Sequence, residues 1–254
     1  MNEVLERRFA EMGARLSLTE PGADQSPRID IRSDGQGEYF DVRATDAEVV
    51  ALDARDRHLL LLVRDGGEKS KFLCGHDERH WFVAAVPEDA RGVTSVATAK
   101  AALQPRVVHT ALRSVRRKNR FRRRNEAFVR QGEWFFVPAP GLQPAEFEIR
   151  PNEPLSRGAG SKPHVVQFLW RTGGTRVYVN QRHPTGISEA RWQRLSPTQR
   201  ASGGWFPMVR DPVVYAKGTV RHPDHATIEL RQWHRVVMNT ENRARAMQHV
   251  AFLD

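Results

Sequence analysis

The sequence predicts an α+β fold: mainly antiparallel sheet, with an N-terminal helix, a central basic helical arm and a short C-terminal helix. Three observations carry that expectation. Short runs rich in β-branched and aromatic residues recur along the chain, divided by turn-forming clusters such as SDGQG, DARDR and DGGE. Apolar residues at helical spacing open the chain, and a stretch of small, helix-compatible residues, SVATAKAAL, is closed by Pro105 near its middle.

Leu5, Phe9, Met12 and Leu16 fall at spacings of four, three and four, forming one stripe of a docking helix over residues 1–16, with Glu3, Glu6, Arg7, Arg8 and Arg15 facing elsewhere. TEPGADQSP reads as a linker. RIDIR, EYFDV, EVVAL and HLLLLVR then make a meander of antiparallel strands, continued by KFLC and HWFVAAVP across a five-residue connection from Gly75 to Arg79. A helix over residues 93–103 follows. A second begins beyond Pro105, docked through Val107, Val108, Ala111, Leu112 and Val115; the same face then meets Lys118, Asn119 and Arg122, so its basic half is expected to project into solvent.

FVRQGEWFFVP resumes strand character. The Pro- and Gly-dense segment 139–163, with EFEIR as a strand inside it, suggests a loose boundary. Residues 1–138 form an α+β region that includes the basic arm at 93–125, and residues 139–254 a β-rich region, as two units or one continuous domain. VVQFLW, TRVYV, PVVYAKGTV, ATIEL and WHRVVM are the remaining strands, and residues 241–250 the closing helix.

A hydrophobic content of 39%, with six Trp and twelve Phe, is enough to build a core. The single cysteine, Cys74, excludes an intramolecular disulfide framework, and no basic start is followed by an apolar run. A soluble protein of a reducing compartment, the cytoplasm, is the expectation. The apolar runs, LLLLV at Leu59 to Val63 among them, are strand-sized against the roughly 18 to 20 residues of a membrane span, so no integral membrane association is expected.

Charge is concentrated in one place. Residues 113–124, RSVRRKNRFRRR, carry eight cationic side chains, and residues 90–125 contain no Asp or Glu while Arg91, Lys100 and Arg106 bring the cations to eleven. The remaining 29 of the 40 basic residues face 30 acidic ones, so the net charge of +10 belongs to this segment. Such a block attracts phosphate backbones by counterion release and steering. Arg outnumbers Lys seven to one in it, and the guanidinium fork holds phosphate oxygens bidentately.

Arg113, Arg116, Arg117, Lys118, Arg120, Arg122, Arg123 and Arg124 are therefore the candidate phosphate contacts, extended by Arg130 and Trp134 on the next strand, with Phe121 as a stacking aromatic. The preferred reading is a nucleic-acid-binding protein, for DNA or RNA, acting as a non-catalytic subunit of a nucleoprotein assembly alongside protein partners. It calls for no cofactor. The alternatives are a metal-dependent nuclease or hydrolase with a His-rich loop, and a structural subunit whose arm binds an acidic protein partner.

Two His-rich tips support the hydrolase alternative. Cys74, His76 and His80 fall within seven residues, and His222, Asp224 and His225 within four; each set offers ligands for a divalent metal with an open position. Neither has the paired spacing of a structural zinc module, and both suit ordinary hairpin turns. Only a fold that brings the tips together would favour chemistry there. The glycine-rich loop NEPLSRGAGSKPH lacks the GxxxxGK[ST] order and has Pro163 where a helix would start, which excludes a phosphate-loop NTPase. No GxSxG, HExxH or strand-linked GxGxxG is present, and no residue is assigned a catalytic role.

Overall fold

The computed structural model describes residues 2–21, 27–156 and 162–244. The described chain is mixed α and β with mainly antiparallel sheets. Helix α1 (Asn2–Glu11) buries Leu5 and Phe9, with Met12 buried just past its end, as the stripe predicts, but it stops short of residue 16. Gly13 takes a left-handed φ of 80°, and the Gly13 and Ala14 amides close on the Ala10 and Phe9 carbonyls at 2.8 and 2.9 Å, which satisfies the helix end. Leu16 instead opens strand β1 (Leu16–Thr19), inside the stretch read as helix and linker. β1 pairs in parallel with β3 (Gly37–Arg43), whose other edge takes β2 (Arg28–Asp34) antiparallel.

The next sheet is the expected meander of β4 (Asp46–Asp53), β5 (His58–Asp65), β6 (Glu68–Asp77) and β7 (His80–Val86). Both of its faces are covered. Leu59, Leu61, Val63, Phe72, Cys74 and Val83 pack with the α1 stripe and with Ile29, Phe40 and Val42, while Leu60, Leu73, Ala84 and Val86 pack under Val96, Ala99 and Leu103. Two buried faces explain why HLLLLV is continuously apolar rather than alternating. β6 runs on through Gly75, His76 and Asp77, because Asp77 pairs directly with His80. The connection is thus the two-residue turn Glu78-Arg79, not five residues. Gly75 is needed within the strand, since a Cβ there would lie 2.5 Å from the His58 ring.

Helix α2 (Val96–Ala102) is held by a capping box between Ser95 and Thr98. Helix α3 (Arg106–Ala111) starts after Pro105 as expected and buries Val108, with Leu112 and Val115 following it into the core. The basic helical arm does not form. The chain breaks into 3₁₀ turns at Leu112–Ser114 and Arg117–Asn119, and Arg120 Nε donates to the Val115 carbonyl at 3.0 Å. A continued helix would set Arg113, Arg116, Arg117, Arg120 and Arg124 at mutually repulsive three- and four-residue spacings, with no apolar side chain on the docking face beyond Val115. Asn125 closes the loop: its Nδ2 donates to the Asn119 carbonyl at 3.1 Å and its Oδ1 accepts from the Ala127 and Phe128 amides at 2.8 and 3.1 Å.

The remaining strands are β8 (Val129–Gln131), β9 (Trp134–Pro138), β10 (Arg150–Leu155), β11 (His164–Thr172), β12 (Thr175–Asn180), β13 (His183–Ser188), β14 (Phe206–Arg210), β15 (Val213–His222) and β16 (His225–Met238). Six of them form one sheet in the order β10-β11-β15-β16-β9-β8, so strands from both sides of residue 139 share it. EFEIR is a 3₁₀ turn, Glu146–Glu148, rather than a strand; pairing begins at Arg150, and Pro151 and Pro154 are tolerated because β10 is an edge. ATIEL and WHRVVM are one 14-residue strand. A small sheet β13-β12-β14 carries helices α4 (Glu189–Gln193) and α5 (Pro197–Ser202), of which only β12 was expected. Glu241–Arg243 is a 3₁₀ turn, and most of the expected closing helix lies outside the described residues. No described helix is long and apolar enough to cross a membrane.

Candidate metal centre

Register builds the site. The two-residue turn Pro223-Asp224 makes His222 and His225 a directly paired couple at the β15–β16 tip, so their side chains share a face. On the other edge of β15, Val165 pairs with Arg221, which sets His164, one step earlier, beside His222. Three imidazoles therefore stand in a row across three strands. Their ring centroids are 4.2 Å apart for His164 and His222, 4.7 Å for His222 and His225, and 5.6 Å for His164 and His225. One ligand nitrogen of each lies within 4.8 Å of the other two.

Hydrogen bonds orient the row. His222 Nε2 faces the Lys162 carbonyl at 3.2 Å, and its Nδ1 accepts from the Asp224 amide at 3.1 Å, which puts the proton on Nε2. An imidazole N–H anchored on a backbone carbonyl is the usual outer-shell support of a metal-binding histidine. His225 Nδ1 is buried without a hydrogen-bond partner, 3.7 Å from Glu78 Oε2. Burial, with His222 beside it, pushes His225 down to about 4, so it is the neutral, ligand-competent form at pH 7. The Nε2 atoms of His164 and His225 face bare backbone at Gly132, where a Cβ would lie 3.3 and 3.0 Å from them.

The two His-rich tips meet. Glu78 Oε2, in the β6–β7 turn, accepts the Ala226 amide at 2.7 Å, and His80 Nε2 stands 4.0 Å from Asp224 Oδ1. Asp224 is held by Lys162 at 2.9 Å; burial pushes its carboxyl up, but the Lys162 ammonium outweighs this and leaves it below the usual range. Between the sheets runs a cleft of about 780 Å³, lined by the three histidines, Asp224, Lys162 and His80, by Lys118, Phe121 and Arg122 of the basic loop, and by His58 and Lys100 farther along.

The predicted phosphate contacts divide into two groups. Arg113, Arg116, Arg117, Lys118, Arg122 and Arg124 are exposed. Arg120 is half-buried, and Arg123 is paired with both Asp77 and Glu78. Arg130 also holds Asp77, at 3.0 Å, and burial lowers both guanidinium pKa values. Those two arginines lock the basic loop onto the β6–β7 tip. Trp134 is half-buried, its ring edge-on to His164 at 6.5 Å, so it extends the histidine wall rather than the cationic surface.

Among the predicted ligands, only His222 and His225 join the row. Cys74 lies in the apolar core, where burial pushes its thiol up and away from reactivity. His76 packs edge-on against Trp81 at 4.9 Å, and His80 is taken by Glu38 at 2.6 Å. His164 was missed: in sequence it is merely the residue after Ser-Lys-Pro, and nothing local reveals its register against residue 222. Residues 157–161 of the glycine-rich loop lie outside the described residues. No family model matches the chain, and comparison with curated proteins and with solved structures gives no match.

Proposed function

We propose that the protein is a metal-dependent hydrolase of nucleic-acid phosphodiesters, with a divalent ion held by His164, His222 and His225. The observation that carries this reading is the convergence of three imidazole nitrogens within 4.8 Å in the wall of a cleft that Lys118, Phe121 and Arg122 also line. Three imidazoles suit zinc and leave a fourth position for water. Zinc there would lower the pKa of that water towards 7 and supply the nucleophile. Nitrogens that share one zinc at about 2.0–2.1 Å stand roughly 3.4 Å apart, so the widest pair would have to close by up to about 1.4 Å.

The chain's own residues do the rest. His225, neutral through burial, presents a lone pair without a proton to expel, whereas His222 Nδ1, which accepts the Asp224 amide, has to give up that bond to hold the ion. The six exposed cations of the basic loop draw in the substrate backbone, and Phe121, 40% exposed, offers a face for a base. A purely binding protein needs a cationic surface but not a histidine row beside it; this favours the hydrolase over a non-catalytic subunit. The test is metal content together with cleavage of a fluorescent oligonucleotide, with and without chelator, in the wild type and in His164→Ala, His222→Ala and His225→Ala. The reading expects bound metal, chelator-sensitive cleavage, and variants that bind the oligonucleotide but do not cut it. Tight binding with neither metal nor cleavage would return the protein to the non-catalytic reading.

A further inference from the structure

We infer that His80 is the general acid of this cleft and Glu38 its positioning residue, an inference that rests on the hydrolase reading. Glu38, at the start of β3, reaches across to β7 and uses both carboxylate oxygens: Oε1 takes His80 Nδ1 at 2.6 Å, and Oε2 accepts the Trp81 amide at 2.9 Å. The second bond fixes the carboxylate, and the first fixes the imidazole. With Nδ1 occupied, proton exchange can pass only through Nε2. That nitrogen points into the cleft, where the His80 side chain is 46% exposed, 4.0 Å from Asp224 in the turn between His222 and His225. His80 thus stands next to the histidine row without belonging to it. A carboxylate-oriented imidazole beside a site for an activated water is the arrangement proton transfer requires.

The step balances as follows. The oxygen of water bonds to phosphorus, the phosphorus–oxygen bond to the leaving group breaks with its electron pair passing to the leaving oxygen, and His80 Nε2 gives that oxygen a proton. The proton released by the attacking water restores the imidazolium. One water is consumed, and a phosphomonoester and an alcohol result. Lys162 holds Asp224 at 2.9 Å on the far side, which keeps that carboxylate next to Nε2.

The experiment compares two substrates in wild type, His80→Ala, Glu38→Gln and Glu38→Asp. One is an oligonucleotide, whose alkoxide must be protonated as it leaves; the other is bis(p-nitrophenyl) phosphate, whose phenolate leaves without help. For His80→Ala the expectation is a fall in kcat of about a hundredfold or more on the oligonucleotide, a change of under about threefold on the aryl ester, and unchanged bound zinc. Glu38→Gln should show the same selectivity more weakly and lose the Nδ1–H signature in the imidazole ¹⁵N spectrum, with Glu38→Asp recovering part of both. Equal losses on both substrates, loss of zinc, or no loss on either would overturn the assignment of His80 while sparing the metal centre. A wild type that hydrolyses neither substrate overturns both readings.

Discussion

Gly132 and Gly66 allow the metal site to be separated from backbone strain. Both glycines take left-handed φ values, 56° and 54°, so alanine at either costs about 1–2 kcal/mol of strain. At Gly66, in the β5–β6 turn, nothing lies within 4 Å of the new methyl. At Gly132 the methyl would sit 3.0 Å from His225 Nε2 and 3.3 Å from His164 Nε2, tighter than ordinary van der Waals contact, in the space those nitrogens face. The two variants should lose similar thermal stability, on the order of 2–8 °C for a chain of this size. Zinc affinity, measured by competition with a chromophoric chelator, should fall at least tenfold in Gly132→Ala, about 1.4 kcal/mol, and stay at the wild-type value in Gly66→Ala. Equal zinc affinities in the two variants would refute the placement of the ion at His164 and His225.

Four further outcomes follow from the same geometry. His58 and His225 are both pushed down to about 4, chiefly by burial, so the unfolded chain binds their protons first; stability should be full above about pH 6.5, fall as pH drops from there to about 4, and level off below, by about 3 kcal/mol for each group, read from urea midpoints at pH 7.5, 5 and 4. A flat profile across that window would contradict the burial of both rings. Oligonucleotide binding should follow salt with a logarithmic slope of about −4 for single strands, from six exposed cations, and alanine at Arg116, Arg117, Lys118 or Arg122 should each flatten it by about 0.7. Arg123→Ala should act on the fold instead, lowering stability by about 1–3 kcal/mol because Glu78 and half of the Asp77 pairing lose their partner. Phe9→Ala, at a fully buried ring packed on Phe40, should cost about 3–5 kcal/mol in the same denaturation assay.

Local chemistry was legible in the sequence and long-range register was not. The stripe Leu5, Phe9, Met12 and the capped α2 follow from periodicity and end signals, and the alternation of turn clusters with β-branched runs locates most strands. The basic run reads as helix because its first half has a helical apolar face, while the charge repulsion that ends the helix lies in the same residues. β1 was hidden by TEPGADQSP, whose turn formers follow a strand that only its parallel pairing with β3 defines. The candidate centre divides in the same way. His222 and His225 flank a two-residue turn and were visible as a pair, whereas His164 enters only through the β11–β15 register, 58 positions away in the chain. Glu38, likewise, meets His80 only because β3 packs across β7.

The most direct test of the metal centre is a titration of the metal-free protein with Co²⁺, followed by visible absorption, in the wild type and in His164→Ala. The account predicts intense d–d bands of four-coordinate cobalt that saturate at one equivalent and are lost or weakened at least tenfold in His164→Ala, with zinc displacing the cobalt. Bands that persist unchanged in His164→Ala, or a wild type that gives only the faint spectrum of hydrated cobalt, would contradict it.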